Sequence, residues 1–314
     1  MDYFDLHCDT AYELYHKKAD LYSNNLAVSI ENYSGYDRKA QIFAVWCDKD
    51  KTDDECYLDF LHISSEFKEQ IKKYSDHITL CTDSASLTDQ EDKRLKAILS
   101  VEDARLVGND ISRLEKMYAA GVRLITLGWG GNSVICGSHD TDDGLTKFGF
   151  EVMRECENLG IIVDVSHLSE KSFWDVAGKA QKPFCATHSN SAMLCRHRRN
   201  LSDTQARTVA ASGGVVGVSF VGEHLSASLS PSSSSENEVY EAVASHIEHF
   251  LAVIPENVCI GSDFDGTAPL AGLENASHAQ DLAKALINRG CAESTVKRLF
   301  FENAYNFFSK SLEN

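Results

Sequence analysis

The sequence predicts an α/β fold: a closed (β/α)8 barrel of the TIM type, forming a single domain over residues 1–314. Three observations predict it. First, about eight short β-type runs alternate with helix-length segments, at 3–7, 41–46, 95–101, 122–127, 161–166, 184–187, 215–220 and 257–262. Second, several of these runs end in an imidazole or a carboxylate: His7-Cys8-Asp9, Glu102, His167, His188 and Asp263. Working residues of parallel barrels gather at the C-terminal ends of strands, so this recurrence fits a barrel mouth. Third, 314 residues with 43% hydrophobic content suffice for one large core.

The connecting segments carry helical spacing. Asp54–Tyr74 places Leu58, Phe60, Leu61, Ile63, Phe67 and Ile71 at amphipathic intervals. Asp110–Ala120, Phe148–Gly160 and Glu238–Ile254 do the same, and Gly160 suits a helix stop. Asp281–Arg289 and Ala292–Ser309 close the chain. Residues 129–147 are glycine-rich and read as a long loop over the barrel mouth. Ser226–Ser235 is a serine run interrupted by Pro231 and reads as a flexible surface loop.

The formal charge of −17 disfavours nucleic acid and anionic membrane as partners. Ten cysteines occur without a CxxC pair, and several sit inside apolar runs, where a reduced thiol packs as a small hydrophobe. Met1-Asp2-Tyr3-Phe4-Asp5 shows neither a basic region nor a long apolar stretch, so no secretory signal is expected. The expected compartment is the cytoplasm, with thiols reduced.

His7-x-Asp9 presents two ligands on one side of an extended segment, because side chains alternate with period two. Imidazole nitrogen and carboxylate oxygen suit zinc or a similar cation. His167 and His188 arrive on adjacent strands. Together with Glu102 these ligands exceed the needs of one catalytic ion, and two ions sharing Glu102 account for the surplus. Such a pair holds a hydroxide and makes it nucleophilic near neutral pH, with Asp263 accepting and passing on the proton. Taken singly, each residue has an ordinary reading as a cap, a turn former or a satisfied core histidine. Five such run-ends together, with His7-x-Asp9 as one of them, favour the metal centre.

These residues carry a resemblance. The chain resembles the membrane (renal) dipeptidase family, binuclear zinc peptidases of the amidohydrolase-like barrel group. The carriers are Asp5-Leu6-His7-Cys8-Asp9-Thr10, Ser100-Val101-Glu102, Gly144-Leu145-Thr146-Lys147-Phe148-Gly149 and Leu159 through His167. They continue with Thr187-His188-Ser189-Asn190, Arg198-Arg199-Asn200-Leu201 and Gly261 through Gly266, and span nearly the whole chain. The resemblance implies that His7, Asp9 and Glu102 hold one zinc, and that Glu102, His167 and His188 hold the other. It implies that Asp263 orients the attacking water, and that Arg199 binds the substrate's C-terminal carboxylate. The family often has a histidine after Thr-Leu-Thr; here Thr126-Leu127-Gly128 leads to Trp129, followed by Asn132, and both are expected near the substrate. Indole offers one weak donor and cannot polarise a carbonyl as imidazolium does.

The function expected is hydrolysis of dipeptides, including those with a C-terminal D-residue, by a hydroxide between two zinc ions. Two alternatives stay open: hydrolysis of another small amide by the same centre, and a non-catalytic metal-binding barrel. The expected partner is a small dipeptide, with no nucleic acid and no membrane, and a homodimer is compatible with this reading.

Overall fold

The ring of strands is built from short, almost wholly buried segments, as parallel strands covered on both faces require. In the computed structural model, which describes residues 1–313, eight strands are formed. They are β1 (Tyr3–Cys8), β2 (Lys39–Trp46), β3 (Ile78–Leu80), β4 (Leu95–Glu102), β5 (Val122–Thr126), β6 (Ile162–Asp164), β7 (Val216–Val218) and β8 (Val258–Ile260). They pair in parallel in the order β6-β5-β4-β2-β1-β8-β7. The ring closes through residues 185–186, which bridge Asp164 of β6 to Cys185 and Ala186 to Val216 of β7. The predicted run 184–187 is therefore the eighth stave, held by single bridges. β3 is additional: it lies outside the ring and pairs with the first half of β4 (Ile78 with Leu95).

Side-chain alternation sorts the strands into two layers. Phe4, Leu6, Ile42, Ile98, Leu124 and Ile162 join one apolar cluster with Phe301, Phe307 and Phe308 of the C-terminal segment. That segment stoppers the N-terminal end of the barrel, with the Phe4 and Phe308 rings 5.4 Å apart. Tyr3, Phe43, Leu99, Val101, Ile125 and Val163 belong to the larger cluster beneath the surrounding helices. With one end stoppered, the opposite rim is left for chemistry.

A helix follows each stave. Those at Asp53–Lys73, Ser112–Ala120, Lys147–Leu159, Glu236–Val253 and Ala279–Asn288 fall within a few residues of the predicted segments. Gly160 ends its helix in the left-handed conformation at φ 79°. The helices Thr10–Lys17, Glu170–Lys179 and Asp203–Ala211 were not predicted. Each has only about ten residues or fewer and two buried apolar side chains, too few for a clear periodic signal. The predicted closing helix 292–309 is split by a π-turn at Arg298–Glu302.

One glycine of the ring is set by close packing. A Cβ on Gly261 would lie 1.7 Å from the carbonyl oxygen of Thr187, the residue before His188. Gly261→Ala is expected to lower stability by at least ~1–3 kcal/mol, because the barrel wall has no room to relax. Thermal denaturation checks this, and a midpoint unchanged from the parent would reject the packing argument.

Candidate metal centre

The predicted metal ligands and Asp263 converge at the C-terminal rim by different local devices. Glu102 is the last residue of β4 and continues its inward alternation from Ile98 and Ser100. His7 depends on an irregularity: the β1–β2 register shifts between Asp5 and Cys8. This bulge re-aims the strand end, so that Leu6 joins the inner cluster, Cys8 the outer one, and His7 reaches the rim. Asp9 lies beyond the strand, at the start of the helix Thr10–Lys17. The two residues meet as expected, but unbroken period-two alternation is not the reason. His167 and Asp263 follow β6 and β8 with left-handed backbones, φ 68° and 66°. Each such conformation costs a non-glycine residue on the order of 1 kcal/mol and persists because the surroundings dictate it.

The cluster is buried and closely drawn. His7 Nε2 lies 3.4 Å from Asp9 Oδ2, 3.6 Å from Glu102 Oε2 and 3.8 Å from Asp263 Oδ1. The other Glu102 oxygen, Oε1, lies 2.9 Å from His167 Nε2 and 3.3 Å from His188 Nε2. Glu102 thus stands between two ligand sets, His7/Asp9/Glu102 and Glu102/His167/His188, facing each with a different oxygen.

Outer hydrogen bonds set the tautomers. His167 Nδ1 lies 3.1 Å from the Trp129 carbonyl oxygen, which can only accept, so Nδ1 carries the proton. Thr187 Oγ1 donates to Asp164 Oδ2 and therefore accepts from His188 Nδ1 at 2.8 Å. Asp164 also accepts from the Thr126 hydroxyl and from the backbone N–H groups of Ser166 and Thr187. Both Nε2 atoms are then unprotonated, yet they face each other at 2.9 Å. Two lone pairs at that distance repel unless a cation lies against them. His7 Nδ1 and Nε2 and Asp9 Oδ1 are buried without hydrogen-bond partners. Orphaned ligand atoms beside facing lone pairs fit a metal centre and fit a purely structural cluster poorly.

The protein's own charges do not balance this cluster. Burial would raise Glu102, but the imidazoles of His7, His167 and His188 hold it well below the carboxylate range. Burial and the Glu102 charge push Asp9 up to about 8. Burial pushes Asp263 up to about 6 against the pull of His7. Bound cations reverse such shifts, because they become the largest local charges.

The cluster opens into a cavity of about 900 Å³, in the range of small-molecule sites. Arg199 and Trp129 line it. Arg199 is buried, donates from Nη2 to the His188 carbonyl at 3.1 Å, and leaves Nε unpartnered. The Trp129 ring stacks 5.9 Å from the His167 ring. Asn132 stands apart: its amide donates to Asp143 at 2.7 Å and it does not line the cavity. The loop 129–147 does reach the mouth, through Trp129, Gly130, Gly131, His139 and Asp140.

Sequence reasoning missed three cavity-lining histidines, His139, His197 and His224. None ends a β-type run, so no spacing signal marks them. His139 sits edge-on to His167, ring centres 5.5 Å apart, with Nδ1 unpartnered. Burial and Arg199 push its pKa down to about 4. His246, by contrast, is a satisfied core histidine, engaged by the Ser191 N–H and the Leu225 carbonyl.

Replacing His188 by Ala removes one of the facing lone pairs. The expected result is lower metal content and lower activity together, read by metal analysis of dialysed protein. Unchanged stoichiometry would reject the assignment.

A parallel barrel with clustered imidazoles and carboxylates at its C-terminal rim defines a metallohydrolase type of architecture. The comparisons with known proteins are specific. The family model described as membrane dipeptidase, peptidase family M19, matches residues 1–312. A Klebsiella pneumoniae protein described as an uncharacterized protein in the pqqA 5' region is 34% identical over 246 residues, covering 75% of this chain and 90% of its own length. The crystal structure of a metallo peptidase of family M19, dipeptidase AC, superposes with TM-score 0.90 at 25% identity, covering 100% of this chain and 99% of that one. A metallo peptidase from Rhodobacter sphaeroides, solved with a phosphinate mimic of the dipeptide L-Ala-D-Ala, shares the fold with TM-score 0.89 at 24% identity, over 99% of both chains. The chain belongs to the membrane dipeptidase family, peptidase family M19. It is a metallo-dipeptidase by family and fold. Among the described residues, no helix is long and apolar enough to cross a membrane.

Proposed function

We propose that this protein hydrolyses dipeptides with free termini at a two-zinc centre, with His7, Asp9 and Glu102 holding one ion and Glu102, His167 and His188 the other. The observation that carries this reading is Glu102, whose two oxygens face two separate ligand sets. When bound, such a metal pair supplies the acidity that makes water a nucleophile near neutral pH.

This chain's own residues do the rest. Asp263, half-buried beside His7, takes the proton from the attacking water and passes it to the leaving amine. Arg199 offers its guanidinium to the substrate's C-terminal carboxylate, with its unpartnered Nε free to donate. Trp129 and Trp46, whose rings meet edge-on at 5.2 Å, wall the cavity against water. His139, edge-on to His167 with Nδ1 unpartnered, lines the cavity beside Trp129 and offers a neutral N–H donor to the scissile carbonyl, weaker than an imidazolium. Family membership supports a tolerance for D-residues at the C-terminal position. All ten cysteines are unpaired, which supports a reducing compartment such as the cytoplasm.

Zinc-loaded protein assayed on a dipeptide panel, with and without C-terminal D-residues, against N-acyl amino acids tests the proposal. Turnover of N-acyl amino acids without turnover of any dipeptide would overturn it. Arg199→Ala is expected to raise KM for dipeptides roughly 10- to 100-fold, as loss of a charge-assisted hydrogen bond of ~1.5–3 kcal/mol implies. An unchanged KM would mean that the substrate lies the other way round.

A further inference from the structure

One group of potential metal ligands stands apart from the barrel-mouth cluster. His197, Glu223 and His224 each bring a ligand atom within 4.8 Å of the others, on the wall of the same cavity. We propose that these three residues form an additional divalent-cation site of the zinc class, separate from the paired centre.

The set is built from two segments tied together independently of any ion. Asn200 Nδ2 donates to the Cys195 carbonyl at 2.9 Å and to the His224 carbonyl at 2.7 Å. Cys195 Sγ lies 3.4 Å from the Glu223 carbonyl oxygen. These contacts hold the loop 195–200 against the short helix Gly222–Leu225. The His197 and His224 rings are thereby brought to 4.6 Å between centres, tilted by 37°. His224 Nε2 lies 4.0 Å from Glu223 Oε1, and His224 Nδ1 is buried with no hydrogen-bond partner. His197 Nδ1 receives only a long bond, 3.3 Å, from the Arg199 N–H.

Two imidazoles and one carboxylate are the ligand types of open zinc sites, which leave a position for water or a substrate group. Metal ligation needs neutral imidazole, and burial together with Arg199 lowers the pKa of both rings. Arg199 also repels a cation. The barrel-mouth cluster has three carboxylates, Asp9, Glu102 and Asp263, against the single Glu223 here. The additional ion therefore binds more weakly than the central pair. Its ligands line the same cavity as Arg199, whose charge acts on both rings.

Equilibrium dialysis of the whole protein against buffered free zinc, with metal and protein both quantified, tests this. The parent protein is expected to take up one more, weaker equivalent than the His197→Gln/Glu223→Gln double variant, while the tightly held equivalents stay equal. His224→Ala should lose the same weak equivalent. Because His224 is buried, the double variant, at half-buried and exposed positions, decides the case if His224→Ala fails to fold. Equal zinc uptake by the parent and the double variant would overturn the proposal. Loss of the tight equivalents along with the weak one would also overturn it, since the three residues would then serve only to support the central cluster. Failure of the dipeptidase reading would show separately, as no hydrolysis with the tight equivalents in place.

Discussion

Asp263→Asn is expected to keep the metal content of the parent and to lower kcat by ~10²–10⁴-fold. Asn retains the size and one acceptor oxygen of Asp but cannot take up a proton. Asp263 is positioned by its neighbours rather than by regular structure. It sits beyond β8 in a left-handed conformation, and its backbone N–H donates to the His7 carbonyl at 3.2 Å. Gly266 allows the close fold-back: a Cβ there would lie 2.3 Å from Asp9 Oδ2 and 2.6 Å from Asp263 Oδ1. Single-turnover kinetics with parallel metal analysis separates the proton-transfer role from a ligand role. A variant within about tenfold of the parent's kcat would remove Asp263 from the chemistry.

Glu102→Ala is expected to have the broadest effect on the centre. Both ligand sets share this carboxylate, so its loss should release more than one equivalent of metal and lower activity by at least about 100-fold. Glu102→Gln, of nearly the same volume, keeps the packing and removes the charge. It should also lose metal, though less completely, because one amide oxygen remains. Metal analysis after dialysis reads both variants. Retention of two equivalents by Glu102→Ala would show that the two sets do not share a ligand. Four buried groups face Glu102 or its ligand sets: His7, Asp9, His167 and His188. Removing a partner from such a cluster strands the others, so some loss of stability is expected with the loss of metal.

The staves of the barrel were legible because a parallel strand buried on both faces must be a short apolar run. Even 184–187, held by isolated bridges, shows this signature in Phe184-Cys185-Ala186. β3 escaped notice because three residues carry no pattern, and its pairing exists only where β4 offers an edge. The short helices were hidden for the same reason: their burial comes from the barrel wall, not from a strong stripe of their own.

The candidate site divides in the same way. His7, Asp9, Glu102, His167, His188 and Asp263 could be picked out because charged and imidazole side chains at the ends of apolar runs are conspicuous. What the linear order could not give is convergence: a bulge in β1, left-handed turns at His167 and Asp263, and the hydrogen bonds that His188 and His167 donate to Thr187 and Trp129, which leave two Nε2 lone pairs facing each other. His139, His197 and His224 reach the cavity from loops, whose paths follow from packing on the finished barrel.

The amino-acid sequence by itself determined the alternating strand and helix pattern and the chemical types available at the strand ends, because burial and side-chain chemistry are local properties of residues. Only the tertiary structure decided which of those groups share a centre, which tautomers they hold and which additional histidines join the cavity wall, because distances between residues far apart in the chain are set by closure of the ring.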